Sequence, residues 1–229
     1  GRTTYGVRVR VAMGSGTSRP PSYRRLAGTA VALFRARVGG RPRHYIQGWM
    51  PFGSVLQVNF LPRRAHGLPG RLGLTAAPGR WWPGRDLDPD GLLEHDLARL
   101  RDRYRASTLV TLMEEAELRA RGLDRLLGEV RRAGLESLWL PVPDMGVPAS
   151  MEEARALVGR ILERMERQQT VVVHCLGGLG RSGTVAACVL SARGRGPDQA
   201  LRLVRRARPG AVQTEAQEAF VATFHGGRG

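Results

Sequence analysis

The stretch VVVHCLGGLGRSG, Val171–Gly183, runs three β-branched residues into a histidine and a cysteine, then into glycines at 177, 178, 180 and 183 with one arginine among them. A β-branched run of this kind suits a strand buried on both faces. The residues that follow, GTVAACVLSA (183–192), read as a helix. A glycine-rich link from a buried strand to a helix lies at the carboxyl edge of an open α/β sheet, where ligands bind. The helix N-terminus adds free backbone N–H groups and about half a positive charge. The loop therefore reads as an anion site.

Working outward, strands and helices alternate. VLQVNF (55–60) alternates as a half-buried edge strand, and RLGLTAA (71–77) reads as another strand. Asp88 and Pro89 open a helix with Leu93, Leu97, Leu100 and Tyr104 on one face. STLVTLM (107–113) and LESLWL (135–140) suit buried parallel strands, separated by one helical stretch over 114–134. Ser150 and Glu153 form a capping-box pattern ahead of an apolar stripe from Met151 to Met165, and the strand TVVVHC comes next. The expected fold is α/β, a central mostly parallel sheet flanked by helices.

Composition narrows the chemistry. The 229 residues carry a net charge of +16, which resembles a nucleic-acid signature. Its distribution argues otherwise: residues 1–85 hold 15 arginines and no acid, whereas residues 86–229 balance 21 arginines against 20 acids. There is no lysine, which excludes a Walker-type phosphate loop and Schiff-base catalysis. Cys175 and Cys188 are the two cysteines, so no disulfide framework is expected, and a reducing, cytoplasmic setting follows. His44, His66, His95 and His225 show no metal-ligand spacing, and no metal or other cofactor is expected. Residues 1–49 are rich in Gly, Pro and Arg and read as a disordered arm or translated upstream sequence, with residues 50–229 as the domain. The apolar run LAGTAVALF (26–34) ends in RAR and is too short to span a membrane. An arginine arm on phosphate polymers or an anionic membrane is the functional alternative for that segment.

Three readings compete for the loop. Gly178, Gly180 and Gly183 satisfy G-x-G-x-x-G, but Asp198 sits at a helix start instead of ending a second strand, where a ribose-binding acid belongs. A merely buried Cys175 leaves Arg181 unexplained. In the third reading, backbone amides from Leu176, Gly177, Gly178, Leu179 and Gly180 close around a phosphate while the planar fork of Arg181 takes two of its oxygens. The amides, Arg181 and the helix terminus all favour a thiolate at Cys175, and the thiolate is the nucleophile.

His174, Cys175, Arg181 and Ser182 match the signature H-C-x5-R-[S/T], by which the chain resembles the cysteine-dependent protein phosphatases. The resemblance implies a phospho-cysteinyl intermediate, with Ser182 assisting departure of the thiolate and His174 orienting the loop. It also implies a general acid on a separate loop. In LPVPDMGVPAS (140–150) that residue is Asp144, after the strand 135–140; Val142-Pro143-Asp144 keeps the Pro and Asp of the family's Trp-Pro-Asp and loses its tryptophan. The plain alternative for Asp144 is a turn residue between prolines. RPGAVQTEAQEAF (208–220) resembles the family's glutamine loop, which makes Gln213 the residue that orients the hydrolytic water and Gln217 a supporting contact to substrate. Within the family, LGLTAAPG (72–79), Asp144-x-Gly146-x-Pro148, HCLGGLGRS, VAACVL (185–190) and GAVQT resemble the kinase-associated phosphatases of the cyclin-dependent-kinase inhibitor type, over residues 70–225.

The expected partner is a phosphoprotein, with a kinase as a further candidate. No specific nucleic acid, no membrane and a monomeric state are expected. The uncharged interior of the loop favours a phosphoprotein monoester over a phosphoinositide. Two alternatives stay open, a phosphatase acting on a non-protein phosphate and a phosphate-binding or kinase-interacting module without turnover. Cys188, seven residues past Arg181, reads as buried packing, with a resolving thiol as its alternative.

Overall fold

The computed structural model describes residues 55–80 and 89–227, without the side chains of 89 and 90. The arm expected at 1–49 and the cap expected at Asp88 lie outside the described residues. All described residues fall in one compact unit, Tyr45–Gly229.

In chain order the elements are β1 (Asn59–Phe60), α1 (Arg63–His66), β2 (Arg71–Thr75), α2 (Pro89–Asp102), β3 (Thr108–Thr111), α3 (Glu115–Ala120), α4 (Leu126–Arg132), β4 (Glu136–Trp139), α5 (Met151–Glu166), β5 (Thr170–His174), α6 (Gly180–Ala192), α7 (Pro197–Ala207) and α8 (Glu215–Gly226). The sheet order is β1-β2-β5-β3-β4. β5 pairs in parallel with β2 and β3, β3 pairs in parallel with β4, and β1 joins antiparallel at the edge. The mostly parallel α/β sheet expected from the alternating pattern is the observed one.

The valine run explains why β5 is central. Val171 and Val173 enter a core shared with α5, α6, α7 and α8, while Val172 enters the opposite core with Leu97, Leu100, Leu109 and Leu126. All three are fully buried, each contributing roughly 1.5–3 kcal/mol. Helices therefore cover both faces, as a parallel sheet requires. Ser150 caps α5, its Oγ accepting from the Glu153 N–H at 3.2 Å.

Four local differences from the sequence reading have physical causes. The expected strand 55–60 pairs over Asn59–Phe60 alone, opposite Leu74 and Gly73. Gly73 permits that approach, because a Cβ there would stand 2.4 Å from Cγ1 of Val58. The single helix expected over 114–134 is two, α3 and α4, divided where Gly122 takes φ +67° and the Leu123 N–H returns to the Leu118 carbonyl at 2.8 Å. Leu118, Leu123, Leu126 and Val130 still share one core, so the apolar spacing was compatible with a break. The short α1 had no periodic signal. Finally, α6 begins at Gly180 and not at 183, so Arg181 and Ser182 belong to its first turn.

Candidate active site

Residues 176–179 link β5 to α6, and their carbonyls are bonded away from the loop interior. The Leu176 carbonyl accepts from Ala77 N–H at 3.2 Å and from Arg80 at 3.0 Å. Arg208 donates to the Gly177 and Gly178 carbonyls at 2.9 and 2.5 Å. The Leu179 carbonyl accepts from Gly183 and Val212 N–H at 2.9 and 3.3 Å. In a trans peptide the N–H points opposite to the C=O of the same unit, so outward carbonyls turn the loop's amides inward. The result is a concave set of donors at a helix N-terminus. Gly178 is required in it: its φ is +69°, and a Cβ would lie 2.2 Å from the Thr75 carbonyl oxygen. Gly180 is likewise confined, by the amides of Gln213 and Gln217.

At the base of this cradle, Cys175 is buried and its Sγ stands 3.6 Å from Ser182 Oγ. His174 is fully buried beside it. Its Nδ1 contacts the Cys175 carbonyl at 3.3 Å and its Nε2 contacts Thr111 Oγ1 at 2.8 Å. A carbonyl only accepts, so Nδ1 carries the proton and Nε2 accepts from Thr111. Burial pushes the imidazole down to about 4, opposed by the hydrogen bond to the Cys175 backbone and reinforced by Arg181. The ring is thus a neutral spacer between β3 and the cysteine.

Arg181 is 2% exposed. Glu117 on α3 holds it through two bonds, at 2.6 and 2.9 Å, and the Val142 carbonyl accepts a third at 3.0 Å. Asp144 Oδ1 lies 2.9 Å from the same guanidinium, on a side chain that is 63% exposed. Burial alone would lower the arginine, but the Glu117 bond and the charges of Cys175, Glu117 and Asp144 outweigh it and hold it above its ordinary value. The acid loop and the anion loop therefore meet at Arg181.

The glutamine loop closes the third side. Gln217 is fully buried, its Oε1 accepting from Gln213 N–H at 2.8 Å and its Nε2 donating to the Gly146 carbonyl at 3.0 Å. Thr214 Oγ1 donates to the Met145 carbonyl at 3.3 Å. Gln217 thus ties the glutamine loop to the acid loop, and Gln213 lies against Gly180. Cys188 is buried among apolar side chains, its thiol pushed up to about 12 by that burial. Six helical rises, roughly 9 Å of axis, separate it from Ser182, whose Oγ neighbours Cys175 Sγ, so packing describes it and a resolving thiol does not.

Every residue singled out from the sequence as a site candidate lies on these three loops or their flanks. Glu117, Arg208 and Asn59 were missed. Glu117 sits in an acidic helix start that reads as solvated surface, and Arg208 is one arginine in an arginine-rich segment. Nothing in the local pattern marks either one, because their partners are 64 and 30 residues away.

Comparison with known proteins gives this geometry a family. Residues 93–221 match the family model described as "Swiss Army Knife protein, DSP-PTPase phosphatase domain". Cyclin-dependent kinase inhibitor 3 of Rattus norvegicus is 27% identical over 174 residues, covering 75% of this chain and 79% of that protein. A shorter match, 35% identical over 91 residues, is to an uncharacterized protein of Methanocaldococcus jannaschii, of which it spans 55%. The crystal structure of Tk-PTP in its active form is 30% identical with a TM-score of 0.58, over 74% of this chain and 96% of that one. The fold also matches a kinase associated phosphatase whose catalytic-site cysteine was replaced by serine, at 24% identity and a TM-score of 0.68, over 76% and 96% of the two chains. The chain belongs to the dual-specificity and protein-tyrosine phosphatase family that this model describes, a family of phosphoric monoester hydrolases.

Proposed function

We propose that this protein hydrolyses phosphate monoesters on proteins through a phospho-cysteinyl intermediate. The observation that carries the reading is the position of Cys175 Sγ, at the base of an amide-lined loop and 3.6 Å from Ser182 Oγ, with Arg181 buried in the first turn of α6. A guanidinium has five N–H donors. Glu117 and the Val142 carbonyl occupy three of them, which leaves the donor facing Asp144 and the Nε–H to fork onto two phosphate oxygens.

In the first step the Cys175 thiolate attacks phosphorus. An S–P bond forms, the P–O bond to the substrate breaks, and Asp144 gives its proton to the departing oxygen. In the second step water attacks phosphorus, Asp144 takes the water's proton, and the S–P bond breaks. Ser182 Oγ–H donates to the departing sulfur, and Gln213 orients the water. The three equatorial oxygens stay in the amide cradle throughout, where fixed dipoles stabilise the developing charge.

The uncharged interior of residues 176–180 supports a single phosphate on a protein as the substrate. The names of two relatives, a cyclin-dependent kinase inhibitor and a kinase associated phosphatase, make a phosphorylated kinase the first protein to try. A reducing, cytoplasmic setting belongs to the same reading, since Cys175 and Cys188 are both free thiols. Among the described residues, no helix is long and apolar enough to cross a membrane.

The test is release of p-nitrophenol from p-nitrophenyl phosphate without added metal. The intact chain turns over, Cys175→Ser abolishes turnover, and Asp144→Ala slows it and removes the limb of the pH–rate profile that belongs to the acid. A folded, inert intact chain rejects the proposal.

A further inference from the structure

Arg208 has no part in the chemistry above, yet it is one of the most thoroughly used side chains near the loop. It follows α7 directly and is 8% exposed. Its Nε donates to the Gly178 carbonyl at 2.5 Å and one terminal nitrogen to the Gly177 carbonyl at 2.9 Å. The other terminal nitrogen donates to Oδ1 of Asn59, on β1, at 2.5 Å. Among the described residues it makes no ion pair. A buried guanidinium whose hydrogen-bond partners are all neutral oxygens is costly to desolvate, and burial holds it below its ordinary value, opposed only in part by the charge of Cys175. Such an arrangement is worth keeping where the geometry of its forked donors, and not a countercharge, is what the fold needs.

The geometry of the two carbonyls supplies that need. Gly177 has open space where a Cβ would stand, and Gly178 is in the left-handed region, so neither residue restrains its own peptide plane with a side chain. Arg208 restrains both from outside. Each carbonyl it turns outward belongs to the same peptide unit as the next N–H, so the fork sets the direction of the Gly178 and Leu179 amides. Asn59 fixes the third nitrogen and with it the angle of the plane.

We propose that Arg208, oriented by Asn59, is the positioning residue of the anion loop: by fixing the Gly177 and Gly178 carbonyls outward it aims two backbone N–H groups at the bound phosphate. The edge strand is thereby tied to phosphate affinity, although β1 contributes no group to the phosphate. This rests on the reading of residues 176–180 as a phosphate cradle.

The experiment measures oxyanion binding separately from turnover. Tungstate, a tetrahedral dianion, is titrated calorimetrically into the Cys175→Ser chain and into the same chain carrying Asn59→Ala or Arg208→Lys, with a melting curve for each. Asn59→Ala leaves the charge of Arg208 in place and removes only its orientation, from a half-buried position on an edge strand. Arg208→Lys keeps the charge and replaces a planar fork by a point donor. Both weaken tungstate binding roughly ten-fold or more, the loss expected of one misdirected hydrogen bond to a charged group, while Asn59→Ala melts within a few degrees of its parent. Undiminished affinity in folded Asn59→Ala overturns the inference, as does full affinity in Arg208→Lys, since charge alone would then suffice. Failure of the Cys175→Ser parent to bind tungstate rejects the phosphate-cradle reading itself and the inference with it.

Discussion

Acidification should destabilise this protein earlier than its carboxylates can account for, because of His174. The ring is fully buried between Thr111 and the Cys175 backbone, and its pKa is held at about 4 against 6.5 in an open chain. The folded value is the lower one, so between these two pH values the unfolded chain binds one proton more than the folded chain. Stability then rises with pH across the window and falls as pH drops through it. At about 1.4 kcal/mol per unit, the full window is worth about 3 kcal/mol, of which about 2 kcal/mol is lost between pH 7 and pH 5. Most carboxylates titrate below that range, and Glu136, held down by its hydrogen bond to Arg164, contributes only as pH falls below its unfolded value. His66 shares the direction for the same first reason, burial, with Arg63 and Arg193 adding to it, so the measurement must be a difference. Urea unfolding at pH 7, 6 and 5 is compared between the intact chain and His174→Gln, whose amide reaches toward Thr111 without titrating. The intact chain loses about 2 kcal/mol more than the variant over that range. Equal losses would mean that His174 is protonated in the fold at pH 5 and would refute its assignment as a neutral spacer.

Other consequences are read in simpler assays. Glu117→Gln removes one half of the bidentate hold on Arg181, and kcat/KM for p-nitrophenyl phosphate falls roughly ten- to hundred-fold. Gly178→Ala places a methyl against the Thr75 carbonyl in a left-handed conformation, lowering stability by about 2 kcal/mol or more in denaturant titration. Gln217→Leu leaves the Gln213 N–H and the Gly146 carbonyl without partners, and hydrogen exchange accelerates in both loops relative to β5. With its thiol pushed up to about 12 inside the core, Cys188 escapes alkylation by iodoacetamide at pH 8 in the native protein, and mass spectrometry finds any label on Cys175.

What the sequence made legible was whatever depends on neighbours along the chain. The valine run of β5, the cap at Ser150 and the spacing from Cys175 to Arg181 are local facts, and each appears in the structure where the pattern puts it. Asp144 and Gln213 could be singled out because each follows a recognisable element in a known order, and the structure places Asp144 beside Arg181 and Gln213 against Gly180. The helix break at Gly122 was missed, because Leu118, Leu123 and Leu126 fit one long apolar face as well as two short helices, and all three enter one core with residues of α2 and β3. Glu117, Asn59 and Arg208 were out of reach for a stronger reason. A charged or amide side chain reads as solvated until its partner is known, and these partners lie 30 to 149 residues away along the chain.

The arginine content looks different once those partners are placed. Around the site, arginine forks are spent on backbone carbonyls: Arg80 on Leu176, Arg208 on Gly177 and Gly178, Arg205 on Ala211 and Val212 just ahead of Gln213, and Arg99 on Leu56 just ahead of β1. Farther off, Arg193 and Arg195 bond the carbonyls of α1. Loops that supply a site have few ladder bonds of their own, so their carbonyls need donors from elsewhere. A planar fork can hold two of them at a fixed angle, which a lysine's single ammonium cannot. Within residues 86–229, where 21 arginines stand against 20 acids, and in Arg80 just ahead of them, these arginines serve as a scaffold for the loops around the candidate site, and a basic surface for nucleic acid is not required to explain them.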